Sequence, residues 1–270
     1  MHLFQFTPEE LMTFFAVLVR FSVLIAILPF FGNHSIPATL KVLFSLVVTI
    51  ALFPALTKSG HVKIVDTYAW SKTASSMVGT IALEALFGLA LGFVAKLVFD
   101  AIHFGANLSG TYMGFAAANT YDPHQEAHTQ VVAEVQTALA MLIFLVLEGH
   151  HYMLRAALDS YAIVGVGKAG FASMFSQSLI EFTSKVLLFA VQISAPVCLA
   201  IFGVNIVFGI MAKAMPQINI LVLSFGVTVL IGLGVIYIGV PEFQTAAGSV
   251  LGRMEDWLQV AKIAIARDGS

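Results

Sequence analysis

Histidine and acidic side chains near the middle of the chain are the residue types best suited to metal chemistry. His124 and His128 are four residues apart, a spacing that places two imidazoles on one face of a helix, with Asp122 and Glu126 beside them. A zinc-protease motif requires Glu directly after the first His, and Gln125 stands there. The residues therefore favour solvated or interfacial histidines. We expect no metal, no cofactor and no catalytic set.

A glycine pattern later in the chain resembles a nucleotide-binding motif. Gly165, Gly167 and Gly170 have the G-x-G-x-x-G spacing, but that motif needs a strand before it and a helix after it. Here the glycines lie between two apolar stretches, and Ala169 stands where a P-loop needs Ser or Thr. The pattern predicts a flexible connection. The chain is not expected to be an enzyme that uses nucleotides.

Composition places the chain in lipid. Of its 270 residues, 59% are hydrophobic and 10% are charged, where soluble domains carry roughly 25% charged residues. The net charge of −2, without a basic cluster, argues against a nucleic-acid partner. The single cysteine, Cys198, cannot form an internal disulfide. These features predict an integral membrane protein.

Apolar stretches predict about six hydrophobic helices in an all-α membrane protein. A spanning helix needs roughly 20 mainly apolar residues, and no stretch alternates as a barrel strand would. The second and fourth stretches are short. The predicted helices are 11–31, 42–57, 77–99, 131–147, 186–211 and 218–240, within a single domain over 1–270 that ends in a cytoplasmic tail, 241–270.

The basic residues predict the orientation, because cytoplasmic connections of membrane proteins are enriched in Lys and Arg. With six crossings, the nine-to-three bias places both termini in the cytoplasm. On that side are Lys58, Lys63, Lys72, Arg155, Lys168, Lys185, Arg253, Lys262 and Arg267, and on the other side Lys41, Lys96 and Lys213.

Polar residues inside the predicted helices should face other helices or water, because they are costly in hydrocarbon. Arg20 lies in the middle of the first helix and is expected to pair with Glu84 or Glu134. Two further readings are ordinary packing inside one bundle and a proton relay in a small-molecule transporter. The remaining polar residues of this kind are Gln136, Gln192 and Asn205.

Gly88 and Gly92 form a small-xxx-small face on the third predicted helix. Such a face lets a second helix approach closely. Pro29 and Pro196 are expected to bend their helices unless neighbours satisfy the carbonyls they leave free.

The segment 104–123 has the wrong composition for a solvated loop, because it mixes glycine and alanine with aromatic residues and has no charge before Asp122. Glycine permits tight bends, and methionine makes deformable contacts. The segment is therefore predicted to line or plug a passage, the alternative being a re-entrant or helix-ending segment packed in the core. Its candidate residues are Phe104, Gly110, Tyr112, Met113, Gly114, Phe115, Asn119, Asp122 and Pro123.

Four stretches of the chain together resemble the FliR/SctT family of type III export-apparatus proteins. Lys213 stands where that family often has Arg, and no proline lies near Phe225. The matching stretches are Leu28-Pro29-Phe30-Phe31-Gly32 with Ile36-Pro37; Gly114-Phe115 running to Asp122-Pro123; Glu148-Gly149-His150-His151 with Asp159-Ser160-Tyr161; and Ala195-Pro196-Val197 with Asn205, Gly209 and Met215-Pro216-Gln217-Ile218-Asn219.

The resemblance implies a subunit of a flagellar export gate in the bacterial inner membrane, at the flagellar basal body. Its helices would form hairpins within a helical hetero-oligomer of FliP-like and FliQ-like subunits, with an FlhB-like subunit beside it. Unfolded flagellar subunits would pass outward, with energy from the proton motive force and a separate ATPase. Assembly contacts would involve Arg20, Glu84, Glu134, Asn205, Lys213, Pro216, Gln217 and Asn219. An injectisome subunit of the same family is the nearest alternative.

Overall fold

The computed structural model describes residues 7–32, 36–60, 62, 70, 72–115, 131–171, 173–215, 217 and 219–268, and these are helices joined by short connections, with no strand among them. This confirms the all-α prediction. The helices described are α1 (Pro8–Ile27), α2 (Pro29–Gly32), α3 (Ala38–Lys58), α4 (Ala74–Tyr112), α5 (Val131–Val146), α6 (Gly149–Ile163), α7 (Ser173–Ala214), α8 (Ile220–Ile238), α9 (Val240–Gly252) and α10 (Met254–Asp268).

Four of these helices, α1, α3, α4 and α7, are long and apolar enough to cross a membrane. Two bent pairs raise the number of possible spans in the described chain to six. One pair is α5 with α6, bent by 61°, and the other is α8 with the helical stretch Val240–Arg267, bent by 60°. The chain is a multi-pass membrane protein.

Several helices are longer than the apolar stretches that predicted them. The third predicted helix, 77–99, ends too early, because α4 continues to Tyr112. Residues 100–112 contain no proline, and a glycine inside a helix costs only about 1 kcal/mol. α7 likewise begins at Ser173 rather than at 186. In both cases the hydropathy falls at the predicted boundary while the helix continues beyond it.

α1 shows the opposite effect, because it ends before its apolar run does. At its start, Thr7 Oγ1 accepts from the Glu10 amide while Glu10 accepts from the Thr7 amide, a reciprocal capping box. Pro29 then ends α1 at Ile27 and begins the short α2, since proline suits the first position of a helix but not its interior. Pro196, in contrast, lies within the continuous α7.

The connection 148–185 and the tail 241–270 also contain helices. α6 lies in the former, and α9 and α10 lie in the latter. α10 docks on α6 and on the start of α7, where Phe182 and Trp257 pack edge to face with ring centroids 4.4 Å apart. These helices are short or amphipathic, so a search for long apolar runs does not find them.

The contacts divide the chain into two compact units. The first unit comprises residues 1–97, 148–183 and 252–270, and the second unit comprises 98–147 and 184–251. α4 and α7 each contribute residues to both units.

The first unit has α1 at its centre. The buried face of α1 includes Val17, Phe21 and Leu24, which recur at helical spacing. A Cβ on Gly88 would meet the Arg20 carbonyl oxygen, and one on Gly92 would lie 3.0 Å from the side chain of Ile27. The close approach predicted for this glycine face is confirmed, and the partner helix is α1.

The second unit packs around the end of α4. Met113 lies in a buried cluster with Val132, Val197 and Ile201. Its carbonyl accepts a 2.9 Å hydrogen bond from Thr228 Oγ1. This end of α4 is therefore anchored to α8 of the same chain.

Candidate functional site

The most tightly bonded polar site in the described chain surrounds Arg20. Arg20 is 0% exposed, and Glu84, on α4, is 1% exposed. The guanidinium donates from Nε to Glu84 Oε2 at 2.7 Å and from Nη2 to Glu84 Oε1 at 3.0 Å. This two-point geometry is the strong form of an arginine–carboxylate pair. The pairing expected for Arg20 is confirmed, with Glu84 as its partner.

The remaining polar capacity of the pair is also used. Arg20 Nη1 donates to Ser160 Oγ at 2.7 Å. Tyr161 donates through its hydroxyl to Glu84 Oε2 at 3.0 Å, and the Gly167 amide donates to Glu84 Oε1 at 2.9 Å. Each carboxylate oxygen therefore accepts two hydrogen bonds, as a buried charge requires.

Aromatic rings complete the surroundings of the guanidinium. Its central carbon lies 4.1 Å from the ring centroid of Phe87 and 3.7 Å from that of Tyr161. Both distances are in the range of cation–π attraction, which strengthens when water is excluded. Tyr161 thus contacts both charges of the pair, with its ring on Arg20 and its hydroxyl on Glu84.

The glycine connection after α6 belongs to this site. Gly167 has φ +72°, a left-handed conformation that favours glycine, and a Cβ there would lie 2.9 Å from Thr80 Oγ1. This backbone geometry delivers the Gly167 amide to Glu84. The prediction of a flexible connection is therefore wrong at Gly167, because the amide is bonded to a buried carboxylate.

We name the five residues Arg20, Glu84, Ser160, Tyr161 and Gly167 the Arg20 network. It joins α1, α4, α6 and the connection after α6 within the first unit. Both oxygens of Glu84 already accept two hydrogen bonds each from protein donors, so the geometry suits a fixed structural tie better than a proton relay. Sequence reasoning connected none of Ser160, Tyr161 and Gly167 with the charged pair. It named Ser160 and Tyr161 only in the family resemblance and Gly167 only in the glycine pattern.

Other polar residues expected to be buried are exposed in the single chain. Glu134, Asn205, Lys213, Gln217 and Asn219 all lie on its surface, because they are on faces turned away from the chain's own core. Gln136 is buried as expected, whereas Gln192 is exposed. Asn219 caps α8, its Oδ1 accepting from the Val222 amide at 3.4 Å. Pro216 lies outside the described residues.

The candidate passage segment is split between exposed and buried side chains. Phe104 and Tyr112 are 48% and 50% exposed, whereas Met113 is fully buried. Gly110 is buried within α4. Gly114 has φ +98°, which ends the helix, and Phe115 packs edge to face with Phe225 at 6.3 Å. Asn119, Asp122 and Pro123 lie outside the described residues.

The histidines form no metal site among the residues that the structure describes, where no group of three possible ligands is found. The rings of His150 and His151 are in contact, tilted by 37° with centroids 4.2 Å apart, and His151 Nδ1 lies 3.4 Å from Glu148 Oε2. His124 and His128 lie outside the described residues.

Comparison with known proteins places the chain in one family. Residues 11–254 match the profile of "Bacterial export proteins, family 1". The chain is 27% identical to the flagellar biosynthetic protein FliR of Bacillus subtilis strain 168 over 215 residues, which is 78% of this chain and 79% of that protein. It is 24% identical to FliR of Escherichia coli K12 over 233 residues, 85% and 86% of the two chains. With FliR of Borreliella burgdorferi it shares 26% over 248 residues, 88% and 86%. Because the profile covers most of a chain with four to six possible spans, this protein belongs to family 1 of the bacterial export proteins.

Proposed function

We propose that the chain is a subunit of the flagellar type III export gate and helps to form the channel for unfolded flagellar subunits. The observation that carries this proposal is the family match over residues 11–254. The similar FliR proteins are named for flagellar biosynthesis, which supports the flagellar gate over an injectisome gate. The gate lies in the bacterial inner membrane.

Exposed polar residues on apolar helices support assembly with other subunits. Glu134 on α5 and Asn205 on α7 are exposed in the single chain, and a polar or charged group facing lipid is costly. In the gate these residues contact FliP-like, FliQ-like or FlhB-like subunits, or water in the channel. Lys213, Gln217 and Asn219, at and beyond the end of α7, belong to the same contact surface.

The end of α4 contributes to the channel's constriction. Met113 is held in the second unit's core, while Phe104 and Tyr112 remain exposed on α4. Apolar aromatic groups can close a passage without selecting a sequence. Phe104 and Tyr112 therefore contact the substrate, and the anchored residues Met113 and Gly114 fix the position of this end of α4.

The proposal is tested by deleting the gene in a flagellated host and measuring export of flagellar subunits into the medium. The full chain should restore export and co-purify with the FliP-like and FliQ-like subunits. Restoration of motility without that co-purification, or purified chain that transports a small molecule alone, would show that the proposal is wrong.

A further inference from the structure

One face of α8 receives the end of α4 within the second unit. Among the described residues of α8, only Thr228 and Gly232 are buried, and both lie against Met113, the residue that follows α4. Phe225, nearly one turn earlier, lies against Gly114, where a Cβ would be 3.1 Å from the ring. Residues three and four apart are neighbours on a helix surface, so 225, 228 and 232 share one face. We name these three residues the α8 seat.

Gly232 leaves the space that the side chain of Met113 occupies. A Cβ at 232 would lie 2.5 Å from Met113 Cγ and 2.7 Å from its Cε, far inside van der Waals contact. Met113 is fully buried and packs in a cluster with Val197 and Ile201, so its side chain has little room to move aside. Glycine is therefore required at 232 for Met113 to lie where it does.

Thr228 satisfies a carbonyl that the end of a helix leaves free. The last carbonyls of a helix have no partner within it, and Met113 directly follows the last residue of α4. The Met113 carbonyl accepts from Thr228 Oγ1 at 2.9 Å. The same hydroxyl can donate to the Phe225 carbonyl at 3.0 Å, so its single proton keeps an acceptor if Met113 moves. The contact therefore positions the end of α4 and can be broken and remade.

The α8 seat affects the channel because Tyr112 directly precedes Met113. Tyr112 is half exposed whereas Met113 is fully buried, so a shift of the buried residue moves the exposed ring. We propose that Thr228 and Gly232 are positioning residues of the channel constriction, which hold Tyr112 in the path of the exported chain. Neither residue touches the substrate, and both act through Met113. The assignment rests on the proposed function, in which the end of α4 contributes to the constriction.

The test uses the full chain with its partner subunits, in a flagellated host that lacks its own copy of the gene. Three quantities are measured: co-purification of the partner subunits, ion permeability of the resting membrane, and capture of a stalled substrate by a photo-crosslinking residue at position 112. Gly232→Ala should raise the ion permeability by about tenfold and lower capture by about as much, because the new methyl group displaces Met113. The partner subunits should still co-purify.

Thr228→Val tests the α8 seat without adding bulk, because valine has nearly the shape of threonine and lacks only the hydroxyl. This variant should raise the ion permeability by about fivefold, the effect of one neutral hydrogen bond. Thr228→Ser returns a hydroxyl to the position and should restore a low permeability. Complex assembly and substrate capture are followed in the same cells.

Two further variants separate the fit at Gly232 from a general effect of changing α8. Adding Met113→Ala to Gly232→Ala removes the three atoms that the new methyl group meets, and it should lower the leak of the single variant. Gly234→Ala is the matched control on the same helix, since nothing lies within 4 Å of a Cβ there. It should leave permeability and capture unchanged.

Unchanged permeability and capture in both Gly232→Ala and Thr228→Val, with the partner subunits bound, would overturn the seat assignment alone. An equal leak from Gly234→Ala would overturn it too, because any change in α8 would then open the channel. If Thr228→Val loses the partner subunits, the α8 seat serves assembly and the assignment is wrong. If the chain without seat substitutions captures no substrate at 112, the proposed path of the exported chain is wrong and the assignment fails with it.

Discussion

Arg20 is a full charge in the middle of an apolar helix, and its neighbours explain how the chain tolerates it. Glu84 neutralises it, Ser160 accepts its third hydrogen bond, and the rings of Phe87 and Tyr161 lie within cation–π distance of it. Removing one member of a buried pair strands the other charge without compensation, which is costlier than replacing both.

A double-mutant cycle tests this account of the pair. Arg20→Met and Glu84→Met should each destabilise the chain by on the order of 3–5 kcal/mol. The double variant should lose much less than the sum, because no charge remains buried. Thermal unfolding of the full chain in its complex measures the differences, with the exposed Lys58→Met as control. Additive losses would show that the pair is not coupled.

Part of this site was predictable from single residues. Few charges lie within the apolar runs, so Arg20 had only Glu84 and Glu134 as candidate partners in the chain. Ser160 is 140 residues from Arg20, and Gly167 is 83 from Glu84. Neither is unusual for its local sequence, so no periodicity or motif connects it to the pair.

At the scale of elements, α4 shows why its glycines are placed where they are. Gly88 faces the backbone of α1, whereas Gly79 on the same helix has open space where a Cβ would stand. A small residue is therefore required at one position and not at the other.

Gly88→Ala and Gly79→Ala form a matched pair of substitutions. At 88 the new methyl group meets the Arg20 carbonyl, and the helices must separate, at a cost of about 1–3 kcal/mol. At 79 the methyl group meets nothing, and helix propensity should make the change neutral or stabilising by up to about 1 kcal/mol. Thermal unfolding of the two variants distinguishes them. Equal effects would contradict close packing of α1 on α4.

The helix boundaries show how far an apolar run can predict an element. α3, α5 and α8 agree with their predicted stretches within a few residues. α6 and α10 were not predicted, because they are amphipathic and contain no long apolar run. α4 and α7 are longer than the apolar runs that predicted them. Proline was the better boundary signal at α1, since it removes a backbone donor rather than merely lowering hydropathy.

At the scale of the whole molecule, the distribution of Lys and Arg predicts both termini in the cytoplasm. Green fluorescent protein fused to either terminus should therefore fluoresce. Alkaline phosphatase fused to either terminus should be inactive, since it needs an oxidising compartment to form its disulfides. Active phosphatase at one terminus only would mean an odd number of crossings, with one bent helix pair not acting as a span.

In the proposed gate, unfolded flagellar subunits pass beside the exposed end of α4. A photo-crosslinking residue at position 112 should capture a substrate stalled in the gate, because Tyr112 is exposed next to the anchored Met113. The same residue in place of Tyr237, which is 82% exposed on α8, serves as the matched control and should capture lipid or a neighbouring subunit. Substrate captured at 112 and not at 237 is the predicted result. Capture of neighbouring subunits alone at 112 would contradict the claim and make the end of α4 a packing element.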